Sequence, residues 1–218
     1  MLLRALSATA AAVLLLSLTG CATDDWSAPR AAPTVVGTPA AGFMPATAPS
    51  PEATVVPADG SWQGVSPSAG YRVVLLTSGS DATTEVLNAA VEDWASEEQV
   101  SLRTVVAEDS GAIRAIVDAM DMKPDLIVST GEALVDALAM VTPNHLDVSF
   151  LVLGAELAEP TYNVTAVDWT GAGFRGEGLG SATHFDESSF TPERSDAAIR
   201  AGAAAVLTGM TGVVLWIE

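Results

Sequence analysis

The chain has one cysteine, one lysine and two histidines in 218 residues. A single cysteine closes no disulfide within the chain, so the fold must hold by its core alone. Lysine and arginine total 9 against 27 aspartates and glutamates, a formal net charge of −18. That balance lacks the basic footprint of a nucleic-acid binder. It also works against electrostatic attachment to anionic lipid. We read it as solubility outside the cell. No Gly-x-Ser-x-Gly nucleophile elbow occurs. No nucleophile, base and orienting group can be assembled, so no catalytic residue, metal ligand or cofactor is assigned and the protein is not expected to be an enzyme. The longest apolar run, Ala8 to Leu18, falls short of the ~20 residues that span a bilayer.

That run is the length of a signal-peptide core, and Arg4 before it is the only charge ahead of Asp24. It leads into Leu18-Thr19-Gly20-Cys21. The sequence resembles the bacterial lipoprotein processing box, an apolar residue and two small ones before a cysteine. The resemblance implies cleavage after Gly20 and a diacylglyceryl group on the Cys21 thiol, which supplies the two acyl chains that stable anchoring requires. Residues 1–20 are thus expected to be a signal peptide. The protein is expected on the outer face of the cell membrane, held by lipid.

Eight of the twelve prolines lie between Pro29 and Pro67, among Ala, Thr, Ser and Gly. Residues 21–70 therefore read as a disordered, semi-extended tether. Val35-Val36 and Val55-Val56 read as incidental apolar pairs. The remaining residues, 71–218, are enough for one domain with its own core.

In that domain, strands and helices alternate. Tyr71 to Thr77 is a β-branched apolar run ended by Ser78-Gly79-Ser80, and Asp81 can cap a helix to about Glu98. Val100 to Ala107 is a second strand, followed by a helix capped by Asp109 or Ser110. Leu126-Ile127-Val128 is a third, followed by a helix that stops near Pro143. Val148 to Leu153 and Asn163 to Val167 are the fourth and fifth. Trp169 to Phe190 has five glycines and no period, and reads as a long loop. Thr191-Pro192-Glu193 starts a helix with proline at its first position. Gly212 closes it before a last strand at Val213 to Ile217. The pattern predicts an α/β fold, a three-layer α/β/α domain with a mostly parallel sheet and right-handed crossovers. Ligands of such sheets sit beyond the carboxyl ends of the strands. The loops there offer Ser78, Ser80, Asp81, Ser129, Thr130, Asp168 and Trp169 as candidate ligand-binding residues.

Three stretches share one resemblance. Lys123-Pro-Asp-Leu-Ile-Val-Ser-Thr-Gly131 is followed by a helix, Pro143, and Val148-Ser-Phe-Leu-Val-Leu153. Asn163-Val164 opens a strand. Ala201-Gly202-Ala203-Ala204-Ala205 and Thr211-Gly212-Val213-Val214 look like a crossover helix and the strand after it. Together, over about Tyr71 to Glu218, they resemble the first lobe of the basic membrane protein family, solute-binding lipoproteins of type 1 periplasmic-binding fold. The resemblance implies capture of a small polar solute, often a nucleoside, for an ABC-type permease. Two positions depart from it. Ser78-Gly-Ser-Asp-Ala-Thr-Thr84 replaces the family's Asp and Ser-Phe-Asn, and Gly154 stands where the fourth strand often ends in Asp. Members also have two lobes, and the resemblance covers one. One wall buries less ligand than two, unless a second copy in a homodimer supplies the other.

Other patterns have a functional and a plainer reading. Gly171-Ala-Gly173-Phe-Arg-Gly176 spells the dinucleotide fingerprint but precedes no clear helix start, so we read loop glycines. His184, Asp186 and Glu187 are possible metal ligands in one loop, or a chance cluster in an acidic chain. Trp169 and Phe174 could stack on a ligand or cover the core. Asp168 could orient a ligand hydroxyl or cap the following loop. Ala201, Gly202, Ala204 and Ala205 make a small-residue face that could pack on a partner or on the chain's own sheet. The leading expectation is a receptor-like lipoprotein. The alternative is an envelope lipoprotein that uses a single lobe for protein contacts. The anchor is tested directly: Cys21→Ala should lose metabolic labelling by a fatty-acid analogue, and a mutant still labelled would sink it.

Overall fold

Wherever β-branched residues run together and glycine, serine or aspartate stops them, the chain forms a strand. The structure, a computed structural model, describes residues 25–108, 110–174 and 185–218. Cys21, Asp109, Gly176 and His184 lie outside the described residues, and so does the side chain of Phe174. Three short strands come first: β1 (Val35–Gly37), β2 (Thr54–Val55) and β3 (Val65–Pro67). The alternating part runs β4 (Arg72–Ser78), α1 (Ala82–Glu97), β5 (Ser101–Ala107), α2 (Ala112–Asp121), β6 (Leu126–Thr130) and α3 (Val135–Val141). It continues through β7 (Phe150–Leu153), β8 (Ala155–Glu156), β9 (Val164–Asp168), β10 (Gly173–Phe174), α4 (Pro192–Thr208) and β11 (Val214–Trp216). Seven strands make one parallel sheet in the order β2-β11-β9-β7-β6-β4-β5.

Alternation along the strands divides the core in two. Val73 and Leu75 of β4, Leu126 and Val128 of β6, and Leu151 and Leu153 of β7 pack with α1 and α4 on one face. Val74, Leu76, Ile127, Phe150 and Val152 pack with α2 and α3 on the other. A strand buried on both faces needs apolar residues at every position, which is why these runs carry no polar alternation. The domain is the expected three-layer α/β/α sandwich.

Helix starts follow local chemistry. Asp81 caps α1, and its carboxylate accepts from the Thr84 amide. Thr191 caps α4 by accepting from the Arg194 amide, with Pro192 in the first turn. The start of α2 departs from expectation: Gly111 is its N-cap and makes no side-chain cap bond. The end of α4 is also earlier than expected. Gly209, at φ 79°, caps it with bonds to Ala205 and Val206, and Gly212 instead turns the chain into β11. The small-residue face of α4 packs on the chain's own sheet. A Cβ on Gly202 would stand 2.5 Å from Leu151 Cδ1 and 2.9 Å from Val167 Cγ2.

The crossovers do not all share one hand. Both α3 and α4 carry the chain one strand further in the same direction, from β6 to β7 and from β9 to β11. They lie on opposite faces, so their two crossovers have opposite hands. The right-handed rule holds because a short, twisted strand-helix unit packs back in only one way. The connection from Trp169 to Thr191 is long enough to escape that constraint.

The expected tether is corrected from Trp26 onward. Thr54 and Val55 extend the main sheet by pairing with β11. Val35 to Gly37 pairs with β3 in an antiparallel ribbon. Phe43, Val55 and Trp62 are buried in the core beneath α1 and α4. Proline blocks helix and central strand but not a coil laid over a surface, and a few large apolar residues suffice to pin it. These contacts set its stability. Phe43 is 0% exposed, so Phe43→Ala should cost about 3–5 kcal/mol in urea unfolding. Limited proteolysis of the intact protein should spare residues 30–70, and rapid trimming to Gly70 would contradict the wrapped arrangement.

Candidate functional site

The strand order reverses at β4. Its first crossover leads outward to β5, and its second neighbour, β6, is reached on the other side. At such a switch point the helices diverge to opposite faces and leave a crevice beyond the strand ends. A cleft of about 330 Å³ occupies this place. It is lined by Asp81, Thr83 and Thr84 at the start of α1, Gly131 to Ala133 after β6, and Gly154 after β7. Phe185, Glu187 and Phe190 form its outer wall.

The start of α1 is fixed from below. Asn88 Nδ2 donates to Thr77 Oγ1 at 3.1 Å, and Thr130 Oγ1 donates to Asn88 Oδ1 at 2.8 Å. This bonds α1 to the ends of β4 and β6. Asp81 Oδ1 accepts from the Thr84 amide at 3.0 Å and from Thr83 Oγ1 at 2.5 Å. Its Oδ2 accepts from Thr84 Oγ1 at 2.8 Å. Burial works against the charge on Asp81, but the hydrogen bonds from Thr83 and Thr84 outweigh it and hold its pKa at about 2.

The outer wall is pinned to the core by aromatic contacts. Trp169 is buried, and its indole Nε1 donates to Ser189 Oγ at 3.0 Å. Phe190 packs edge-on to Trp169 with centroids 5.1 Å apart, and Phe185 leans on Phe190 at 5.5 Å. The ladder runs from the core to the exposed ring of Phe185. Asp186 caps the short turn Glu187–Ser189, accepting from the Ser188 amide and hydroxyl. Arg194 Nη1 donates to the Ser189 carbonyl at 2.9 Å. Gly154 has φ 72°, and a Cβ there would meet Phe190 Cε1 at 2.8 Å and Trp169 Cη2 at 3.2 Å. The aromatic wall therefore excludes the aspartate that the family resemblance would put at this position.

Of the candidate ligand-binding residues, Asp81 alone is in the cleft lining. Ser78 Oγ donates to the Ala107 carbonyl at 3.3 Å, and Ser80 is exposed. Ser129 is buried with no hydrogen-bond partner among the described residues, and Thr130 belongs to the network beneath α1. Trp169 covers the core rather than offering a stacking face. Asp168 shares the face of Val164 and Ala166, opposite to Trp169. It is 1% exposed, and its Oδ1 accepts from the Trp169 amide at 2.8 Å. Sequence reading missed Thr83, Thr84, Glu132, Phe185 and Phe190, and offered Glu187 only as a possible metal ligand. The Phe185 to Phe190 segment has no period, so nothing in the sequence says which edge it covers.

The three-layer α/β/α architecture with its largely parallel sheet matches one lobe of a type 1 periplasmic-binding-like fold. No family model and no curated protein matches the chain. A solute-binding protein of an ABC transporter system from Aeropyrum pernix K1 is 17% identical over 46% of this chain and 29% of its own, with a TM-score of 0.42. A fragment of a candidate lipoprotein from Peptoclostridium difficile 630 is 15% identical over 64% of this chain and 98% of its own, at 0.46. A transcriptional activator from Bacillus halodurans is 19% identical over 45% and 35%, at 0.40. Among the described residues, no group of three or more His, Cys, Asp and Glu could hold a metal ion, and no helix is long and apolar enough to cross a membrane.

Asp168 gives the lobe a measurable pH dependence. Burial raises its pKa to about 7, the Trp169 amide opposes this, and the charge of Glu156 adds to it. The folded protein then holds a proton that the unfolded chain has released above about pH 4. Stability should fall as pH rises from about 4 to about 7. Asp168→Asn should flatten that fall and stabilise the protein above pH 7, as read from urea midpoints across the range. A stability that rises over this window in the parent would refute the assignment.

Proposed function

We propose that this protein is a membrane-anchored binding component of an ABC-type transporter that takes a small polar solute, neutral or cationic, into the cleft at the β4/β6 switch point. The observation that carries this reading is the chemistry of the lining. The carboxylates of Asp81, Glu132 and Glu187 contribute to it, and among the described residues no lysine, arginine or histidine does. One oxygen of Glu132 is buried with no hydrogen-bond partner among the described residues. Such an oxygen gains most from a donor, a hydroxyl or an amine, brought in by a ligand. The amino end of α1 would favour an anion, but Asp81 already neutralises it. Anionic solutes are therefore disfavoured, and nucleosides, sugars and amines remain. The exposed ring of Phe185 offers a face for a base or sugar. At about 330 Å³ the cleft lies near the lower end of ligand sites.

The anchor on Cys21 and the extracytoplasmic location belong to the same proposal, supported by the processing box in the sequence. The rival role in protein contacts loses the surface expected for it, because the small-residue face of α4 lies against Leu151 and Val167.

A thermal-shift and calorimetric screen of nucleosides, sugars and amines tests the reading. We expect a hit of micromolar affinity or weaker, on the order of −8 kcal/mol or less in magnitude. Phe185→Ala should weaken a nucleoside by about tenfold, as loss of one stacking partner does. Glu132→Gln should weaken an amine. A well-folded protein that responds to none of the three classes would defeat the proposal.

A further inference from the structure

The described chain begins on a set of contacts that the cleft does not use. Two arginines lie over the ring of Trp26, with the guanidinium of Arg103 4.5 Å and that of Arg72 5.6 Å from its centroid. Its Nε1 donates to Ser101 Oγ at 2.6 Å. Arg72 donates to the carbonyls of Trp26 at 2.7 Å, Ala28 at 3.2 Å and Asp25 at 3.3 Å. Arg30 pairs with Asp125 at 2.5 Å, and the same carboxylate oxygen accepts the Arg72 amide at 2.8 Å. Trp26 is 7% exposed.

Every partner in this set is at the amino end of a strand. Arg72 opens β4, Ser101 and Arg103 lie in the first half of β5, and Asp125 immediately precedes β6. The cleft lies at the other end. Strands of this length separate the two edges by roughly 20 Å. Five residues link Cys21 to Trp26, which is at most about 17 Å of chain. A lipid on Cys21 would therefore lie within that reach of the amino edge, whatever path residues 21–25 take.

We propose that Asp25–Arg30 is a latch that seats the amino edge of the sheet on the lipid surface holding Cys21, so that the cleft opens away from the membrane. The proposal rests on the lipid anchor in the reading above and is independent of what the cleft binds. Latched, the cleft faces solution and is turned from any permease in the same membrane. Release would free the chain as far as about Thr34, where β1 begins to hold it.

The test uses the full-length lipidated protein in phosphatidylcholine vesicles that carry an acceptor-labelled lipid. Lipid consumes the Cys21 thiol, so an added cysteine takes a fluorescent probe uniquely. Asp121→Cys reports the amino edge and Ser80→Cys the cleft edge. Energy transfer should place the first probe nearer the bilayer by roughly 20 Å, and Trp26→Ala should abolish the difference. Arg103→Gln repeats the test with a milder change, and circular dichroism checks the fold of each variant. Equal heights in the parent would overturn the latch, as would a difference that persists in both variants. Failure of fatty-acid labelling at Cys21 would overturn the anchor and the latch together.

Discussion

The position of α4 on the α1 face governs most of what lies around the cleft. A helix antiparallel to its strands must start at their carboxyl edge. To reach that start from β9, the chain has to travel back across the edge. It does so through Phe185 to Phe190, which pass above Gly154 and become the outer wall. The helix then packs so closely on β7 and β9 that only glycine fits at position 202. The same choice of face puts α4 beside α1, where Arg200 reaches Glu97, Glu98 and its own Asp196.

Cations are scarce in this protein, and several of them tie together parts of the chain far apart in sequence. Arg72 and Arg30 hold the amino-terminal segment to the strand ends. Arg194 holds the outer wall to the start of α4. Arg200 holds α4 to α1. The net negative charge works against the compact state by self-repulsion, and these few positive groups sit where elements meet. Each is at least partly shielded from water, which makes its hydrogen bonds worth more than those of a surface pair.

The sandwich was legible in the sequence because a parallel strand buried on both faces leaves an unbroken apolar run. β4, β6 and β7 carry that mark, and Asp81 and Thr191-Pro192 mark their helix starts without ambiguity. The wrap was not legible. Trp26, Phe43 and Trp62 are single large residues without a period, set among prolines that argue for an extended coil. A parallel pair as short as that between β2 and β11 also leaves no local signal. The cleft was legible by place, and by ligand-binding residue only at Asp81. Knowing that loops meet beyond the strand ends does not say which side chains face outward. Ser129 and Thr130 end their strand buried, Asp168 faces away, and Trp169 is held in the core by Ser189 and Phe190. The aromatic wall depends on the hand of the last crossover, which sequence spacing does not encode.

The pairing of β2 with β11 joins the first part of the domain to its last strand. Thr54 and Val214 are partners, about 160 residues apart in the chain, and closing so long a loop is slow compared with local pairing. During synthesis, the amino-terminal segment emerges long before the strand it completes. Until then Phe43, Val55 and Trp62 have no finished surface to cover. A chain that cannot finish folding early stays threadable, as the export implied by the proposed anchor on Cys21 would require. The interval also leaves apolar side chains exposed, and in that interval the chain is most open to aggregation or capture by a chaperone.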